Sequence, residues 1–212
     1  TKWTSALDYS HGWRVSDHPR MFADVNGDGM ADAVGFGLDG IYVALSDGSS
    51  FAANATKWTS AFDYNHGWRV SDHPRMFADV DGDGDDDAVG FGLDGIYVAL
   101  SDGSSFAANA TRWTTAFDYA HGWRVSDHPR MFADVNGDGM ADAVGFGLDG
   151  IYVALSDGSS FDSVPSLGTT AFDYAHGWRV SKHPRMFADV NGDGMFDAAG
   201  FGLDGVYIAT AR

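Results

Sequence analysis

Short runs of alternating apolar and small or polar residues recur along the chain, separated by clusters of Asp, Gly and Ser. In one such run, Trp58, Phe62 and Tyr64 fall on one face by period two, as expected of a half-buried β-strand. The clusters between runs are rich in turn-forming residues and suit tight antiparallel connections. The pattern predicts four strands per repeat, which in the first copy lie at residues 20–25, 31–37, 41–45 and 57–64.

The same pattern returns every 55 residues, since Trp3, Trp58 and Trp113 are equally spaced. A period of this length is typical of propellers and solenoids. Four strands joined by tight turns form a meander, so we expect an all-β fold, a β-propeller built from four 55-residue blades. The predicted domain is a single propeller or half-propeller over residues 1–212, with repeats at approximately 1–55, 56–110, 111–165 and 166–212.

The two ends of the chain carry complementary parts of one repeat. The sequence begins with a fourth-strand segment and finishes with a third-strand segment. We therefore expect the N-terminal strand to close the last blade, either of the same chain or of a partner chain. One joint is irregular, because Gly168 stands where the period predicts another Trp.

Composition narrows the classes of function. All 30 acidic residues are Asp, and the net charge of −17 disfavours binding to nucleic acid or to anionic membrane surfaces. The absence of Cys excludes disulfides and thiolate sites. No apolar run reaches the length of a membrane span, and no signal peptide is visible, so we expect a soluble protein without membrane insertion and assign no compartment.

The repeat also resembles that of a known protein family. Residues 116–161 contain, in order, F-D-Y, G-W-R-V, H-P-R, an acidic D-V-N-G-D-G-M-A-D loop, V-G-F-G and G-I-Y. This order is similar to the repeat of the Psathyrella velutina lectin family, whereas the FG-GAP repeats of integrin α-subunits share only the loop and the Phe-Gly pair. The resemblance implies a β-propeller lectin with glycan sites between adjacent blades, N-acetylglucosamine-type or sialylated ligands, and calcium in some loops.

The acidic loop itself has the spacing of a calcium site. Side-chain oxygens fall at loop positions one, three, five and nine, and the residue at position seven can offer a carbonyl. The predicted structural Ca²⁺ ligands are Asp24, Asn26, Asp28, Asp32, Asp79, Asp81, Asp83, Asp87, Asp134, Asn136, Asp138, Asp142, Asp189, Asn191, Asp193 and Asp197. The alternative is a metal-free turn in which these carboxylates cap backbone N–H groups.

The connector H-G-W-R-V-S-D-H-P-R offers groups suited to sugar binding, because sugars stack on aromatic faces and their hydroxyls bond to fixed polar groups. The predicted carbohydrate-binding residues are His11, Trp13, Arg14, Asp17, His18, Tyr42, His66, Trp68, Arg69, Asp72, His73, Tyr97, His121, Trp123, Arg124, Asp127, His128, Tyr152, His176, Trp178, Arg179 and His183. In the last copy Lys182 replaces the Asp. The same residues could instead pack between blades, and a zinc site at His11 and His18 lacks obvious further ligands.

The sequence is compatible with more than one assembly and more than one function. The family has seven blades and this chain has four repeats, so we expect a homodimer that closes an eight-bladed ring, with a four-bladed monomer as the alternative. A multivalent lectin is the expected function. The alternatives are a calcium-stabilised adhesion module that binds a protein, and an engineered symmetric scaffold. No catalytic motif is present, so we predict a protein that is not an enzyme.

Overall fold

The computed structural model describes all residues from 1 to 212. It contains fifteen short β-strands, one 3₁₀ turn at Tyr9–His11 and no α-helix. The first eight strands are β1 (Arg20–Ala23), β2 (Asp32–Phe36), β3 (Ile41–Ala44), β4 (Thr56–Thr59), β5 (Arg75–Ala78), β6 (Asp87–Phe91), β7 (Ile96–Ala99) and β8 (Thr111–Thr114). The remaining seven are β9 (Arg130–Ala133), β10 (Asp142–Phe146), β11 (Ile151–Ala154), β12 (Ser166–Thr169), β13 (Arg185–Ala188), β14 (Asp197–Phe201) and β15 (Val206–Ala209).

The strands form four antiparallel sheets in which each strand pairs with its neighbour in sequence. Three sheets have four strands, in the orders β1-β2-β3-β4, β5-β6-β7-β8 and β9-β10-β11-β12, and the last has three, β13-β14-β15. A four-stranded meander repeated in this way is the blade of a β-propeller. The predicted all-β propeller class is therefore confirmed. No helix has the length and hydrophobicity that a membrane span requires.

The chain divides into two compact units. One comprises Thr1–Asp79, Asp83–Gly92 and Tyr97–Arg112, and the other comprises Val80–Gly82, Leu93–Ile96 and Trp113–Arg212. The first unit contains the β1–β4 sheet and most of the β5–β8 sheet, and the second contains the remaining two sheets.

The predicted strand positions agree with the structure except in the outer strand. The first three strands of each repeat start and end within about two residues of the expected positions, which is the ordinary uncertainty of an element boundary. The sequence predicts an outer strand that runs to Tyr64, but β4 ends at Thr59. The chain then turns at Phe62, whose φ of 59° is left-handed, so the period-two pattern of aromatic residues does not continue as a strand.

Aromatic side chains fill the cores of both units. In the first unit, Phe36 stacks on Phe77 with ring centroids 4.8 Å apart and meets Phe62 edge-on at 6.1 Å. In the second unit, Phe146 meets Phe172 edge-on at 6.3 Å and packs at a tilt against Phe187 at 5.4 Å. Each of these contacts joins one blade to residues of the next repeat, so burial of large aromatic surfaces stabilises the seam between blades.

Candidate functional site

A short turn follows each outer-strand segment and fixes a histidine. Asp63 is 1% exposed, and its carboxylate accepts the backbone N–H of His66 at 2.6 Å and contacts the ring Nδ1 at 2.7 Å. Because Nδ1 lies against a carboxylate, it carries the proton, and Nε2 of a neutral ring is left as an acceptor. The His66 ring is 74% exposed. The same pair recurs as Asp8–His11, Asp118–His121 and Asp173–His176.

A tryptophan forms the floor beside the equivalent histidine of the first repeat, His11. Trp13 lies directly over β2, where a Cβ on Gly35 would come within 2.6 Å of the indole ring. Only glycine leaves room for this approach. The ring of Tyr42 meets the indole edge-on at 6.0 Å, and that of His18 does so at 5.5 Å. The other three repeats have the same trio of aromatic rings.

The second histidine of the connector is held in a single neutral tautomer. Nδ1 of His18 accepts the backbone N–H of Arg14 at 3.1 Å, so the remaining ring proton resides on Nε2. Burial lowers the pKa of His18, and the nearby Arg20, Arg75 and Arg14 cations lower it further, against the opposing effect of Asp17. Burial also lowers the pKa of His128, the equivalent residue in the third repeat.

A tyrosine and an aspartate at the β2–β3 turn complete the polar rim. The hydroxyl of Tyr42 donates to Asp39 at 2.9 Å, and Lys57 lies 3.1 Å from the same carboxylate. The hydrogen bond from Tyr42 lowers the pKa of Asp39, since it stabilises the charged form. The tyrosine hydroxyl has its proton engaged and can still accept a hydrogen bond. Tyr152 donates to Asp149 in the same way, at 2.7 Å.

The wall opposite the tyrosine is a left-handed turn that the sequence analysis did not predict. Leu7, Phe62, Phe117 and Phe172 have φ between 57° and 59°, a region that bulky residues rarely adopt. The carbonyl of each residue accepts a hydrogen bond from the arginine that begins the next strand. Arg75 is 4% exposed and donates to the carbonyl of Phe62 at 2.8 Å, which ties the turn to the sheet.

These elements enclose two clefts of the same design, one in each unit. The first has a volume of about 480 Å³ and is lined by His11, Trp13, His18, Asp39 and Tyr42 together with the turn at Leu7 and the loop at Asn54. The second has a volume of about 590 Å³ and is lined by the corresponding His121, Trp123, His128, Asp149 and Tyr152, with Phe117 and Val164 at the last two positions. Both volumes lie within the usual range of small-molecule sites.

The structure brings together most of the predicted sugar-binding residues, but not all of them. Arg14 and Asp17 do not line the first cleft, and Arg124 and Asp127 do not line the second. Arg14 instead stacks on Tyr9, with its guanidinium carbon 3.8 Å from the ring centroid, and donates to the Tyr9 carbonyl. Arg69, Arg124 and Arg179 make the equivalent contacts.

Sequence reasoning missed five residues that line or support each cleft. The wall residue has a left-handed backbone but is not glycine, so neither the turn nor the arginine that binds its carbonyl could be recognised from the sequence. The asparagine or valine at the far rim lies 36 residues or more from the connector histidines in sequence. The buried aspartate that orients the histidine was detectable, because its D-x-x-H spacing suits a capped turn. The aspartate at the β2–β3 turn lies in the L-D-G segment that recurs in every repeat.

The acidic loops lie between the first two strands of each blade. In the first loop Asp24 accepts the N–H groups of Asp28 and Gly29, as expected of an Asx-type turn. In the β5–β6 hairpin, one carboxylate oxygen from each of Asp79, Asp81 and Asp87 lies within 4.8 Å of the others. Oxygens that bind one calcium ion at about 2.4 Å lie no more than about 4.8 Å apart, so this cluster fits that ion.

Burial also makes the last aspartate of the loop suitable for a cation. Asp142 is fully buried, and burial raises its pKa to about 6, against the hydrogen bonds that it accepts from Ser156 and Val135. A desolvated carboxylate of this kind is stabilised by a proton or by a bound cation. In the first loop, Oδ2 of the equally buried Asp32 has no hydrogen-bond partner. The loops therefore combine local capping with oxygens that suit a hard cation.

Taken together, the blades and clefts define a β-propeller with small aromatic-floored pockets rimmed by hydrogen-bond acceptors. The structure is similar to that of an Agrocybe aegerita lectin described as specifically recognising non-reducing terminal N-acetylglucosamine, with 38% identity and a TM-score of 0.87. The alignment covers 95% of this chain and 50% of that one, so the chain spans about half the length of the lectin. The Tc holotoxin pore of Photorhabdus luminescens shares only the fold, at 16% identity and a TM-score of 0.64 over 97% of this chain and 9% of that one.

Two further comparisons gave no relatives. No protein-family model matches the sequence. No curated protein matches it either.

Proposed function

We propose that the protein is a multivalent carbohydrate-binding lectin, rather than an enzyme, and that its clefts bind N-acetylglucosamine-type sugars. The observation that carries the proposal is the cleft in which His11, Trp13 and Tyr42 converge, together with its copy in the third repeat. The similarity to the Agrocybe aegerita lectin supports the choice of sugar.

The chemistry of the rim favours a ligand with several hydrogen-bond donors. Nε2 of His11, the hydroxyl oxygen of Tyr42 and the carboxylate of Asp39 all present lone pairs. A sugar supplies hydroxyl groups to such acceptors, and its C–H face packs on an indole ring such as that of Trp13. Because the same rim recurs along the chain, several weak sites on one molecule gain affinity for clustered glycans by avidity.

Isothermal titration with N-acetylglucosamine tests this function. The quadruple variant His11→Ala/His66→Ala/His121→Ala/His176→Ala removes this acceptor from all four repeats, and we expect it to weaken binding by about 1 kcal/mol per site, or roughly fivefold. Val15→Ala is the matched control, because Val15 is 81% exposed and lines neither cleft. An unaltered protein that binds neither the monosaccharide nor a glycan surface bearing it would refute the proposal.

Calcium in the acidic loops is a second part of the proposal, and its role is structural. The β5–β6 hairpin is the best candidate, because Asp81 adds a carboxylate where the other loops have Asn26, Asn136 or Asn191. The ion would neutralise the clustered charge and hold the hairpin in one conformation.

Thermal unfolding with calcium and with EDTA tests the metal. We expect calcium to raise the melting temperature, by an amount that follows the ratio of its concentration to its dissociation constant. Asp81→Asn restores the residue found in the other three loops and serves as the matched variant, with a smaller gain. Identical melting curves in calcium and EDTA would rule out a structural ion.

A homodimer is the third part, and the edge of the last blade supports it. Strand β15 pairs only with β14, and Val206 and Ile208 are 58% and 43% exposed, whereas Ile41 of the equivalent β3 is fully buried. Residues 1–4 form no strand, although their sequence T-K-W-T is identical to that of β4. An unpaired edge and a strand sequence without a sheet are complementary.

We infer that residues 1–4 of a second copy pair with β15. The register follows from the first blade, where Thr59 faces Ile41 and Lys57 faces Tyr42, and it places Thr4 opposite Val206 and Lys2 opposite Tyr207. Sedimentation should then give twice the 22.6 kDa of one chain, and deletion of residues 1–4 should return the monomer. A 22.6 kDa species at high protein concentration would favour the four-bladed monomer instead.

A further inference from the structure

A second kind of cleft lies beside the first and has no role in the proposed function. It has a volume of about 710 Å³ and is lined by Lys2, Trp3, Asp47, Ser50 and Phe51, among others. A copy of about 680 Å³ occurs one repeat later, with Lys57, Trp58, Asp102, Ser105 and Phe106 at the same positions. We refer to these two as the outer clefts and to the clefts floored by Trp13 and Trp123 as the inner clefts.

The outer cleft has the same types of group as the inner cleft. Trp3 rests against Phe51 at a centroid distance of 5.2 Å and leaves 42% of its surface exposed. Hydrogen bonds from Ser49 and Ser50 lower the pKa of Asp47 to about 2, so its carboxylate is a fixed acceptor at neutral pH. An aromatic face beside an ordered acceptor and a lysine suits a polyhydroxylated ring.

In the first repeat the inner and outer clefts adjoin each other. Ser5 and Ala53 line both of them, one from each side of the seam between the N-terminal segment and the first blade. Next to these residues the Thr4 hydroxyl donates to the Ala52 carbonyl at 2.9 Å, so a ligand that occupies both clefts passes over this hydrogen bond. The two clefts therefore lie next to each other along the seam, and Trp13 lines one while Trp3 lines the other.

We propose that each seam binds an oligosaccharide, with the terminal sugar in the inner cleft and the following sugars crossing into the outer cleft. This inference rests on the proposed function and specifies its ligand class as an extended chain rather than a monosaccharide. Three repeats have this feature, because phenylalanines pack at a tilt of 52° to 55° and at centroid distances of 5.2 to 5.3 Å against the outer tryptophans Trp3, Trp58 and Trp113. Gly168 removes it from the fourth.

Titration with N-acetylglucosamine and with its β1,4-linked trimer tests the oligosaccharide site. A second stacking contact is worth about 1.4 kcal/mol, so the trimer should bind the unaltered protein about tenfold more tightly than the monosaccharide. The triple variant Ala52→Tyr/Ala107→Tyr/Asp162→Tyr fills the outer position of all three seams. It should lower the affinity for the trimer to that for the monosaccharide and leave the monosaccharide affinity unchanged.

The positions of this variant are compatible with folding. Ala52 and Ala107 are exposed and line only the outer clefts, and the third repeat already has the larger Asp162 there. Val15→Tyr adds the same side chain at an exposed position that lines none of the four clefts and serves as a control. Equal affinities of the unaltered protein for trimer and monosaccharide, or a trimer advantage that survives the triple variant, would overturn the oligosaccharide site and leave the proposed function intact. If the unaltered protein bound neither the trimer nor the monosaccharide, the proposed function itself would be overturned.

Discussion

The inner clefts of the first and third repeats share their floor and rim, but their walls differ. Phe117 is 2% exposed and follows a paired strand, β8, whereas Leu7 is half-buried and follows residues 1–4, which form no strand. The arginine behind the wall follows the same trend, because Arg130 is buried and Arg20 is only half-buried. Nearly identical connector sequences therefore yield walls of unequal packing, and the two walls differ both in the wall residue and in the strand before it.

The largest expected difference between the clefts comes from removing the floor. Trp123 packs on Phe117 with ring centroids 4.9 Å apart, whereas Trp13 has Leu7 at that position. Large-to-small changes at buried aromatic residues cost about 3–5 kcal/mol. We expect Trp123→Ala to reach the lower part of that range and Trp13→Ala to cost less. Urea unfolding of the two variants measures the difference, and equal losses would show that the walls are equally packed.

A smaller effect is expected at the far rim, where Asn54 of the first cleft corresponds to Val164 of the third. An amide can bond to a sugar hydroxyl and valine cannot, and one such bond is worth about 1 kcal/mol, or roughly fivefold in affinity. Val164→Asn should strengthen the third cleft and Asn54→Val should weaken the first. The double variant Val164→Asn/Asn54→Val is the control, because it exchanges the rim residues of the two clefts and should exchange their affinities. Unchanged isotherms in both single variants would remove this position from the site.

The smallest effect is expected from pH. His18 and His128 have pKa values below the ordinary 6.5 because they are buried, so they resist protonation in the folded state. Between those lowered values and 6.5 the unfolded chain binds more protons than the folded chain, and stability therefore falls as the pH drops through that window. Protonation also removes the acceptor for the N–H of Arg14, so sugar affinity should fall with it. Melting temperatures and titrations at pH 7.5 and 5.5 measure both effects by comparison with His18→Gln/His128→Gln, which should lack them. Asp142, whose pKa burial raises to about 6, changes stability in the opposite direction but equally in both proteins.

Much of the fold could be predicted from the sequence because its cause is local. The 55-residue period, the alternation within β2 and β3 and the turn residues between them all act over a few positions. The end of the outer strand could not be predicted in this way. Phe62 continues the apolar alternation, but the carbonyl contact with Arg75 and the packing on Phe36 and Trp68 hold it in a left-handed turn.

The candidate site, too, could be predicted only in part from the sequence. The sequence predicts that histidine, tryptophan and tyrosine meet, and they do, since the connector and β3 lie in one repeat. It also places Arg14 and its equivalents in the sugar site, but each is engaged by a tyrosine ring and by carbonyl groups of its own connector. Composition alone does not distinguish an arginine that faces a ligand from one that closes a turn.

The left-handed turns have a further consequence for how a ligand arrives. Phe117 is fixed by its carbonyl bond to Arg130, by Trp123 and by the strand before it, so the wall of the cleft is set before any ligand is present. A preformed wall spares the complex the entropy of ordering a loop. The observed association rate should then rise linearly with ligand concentration, without the plateau that a slow conformational step imposes.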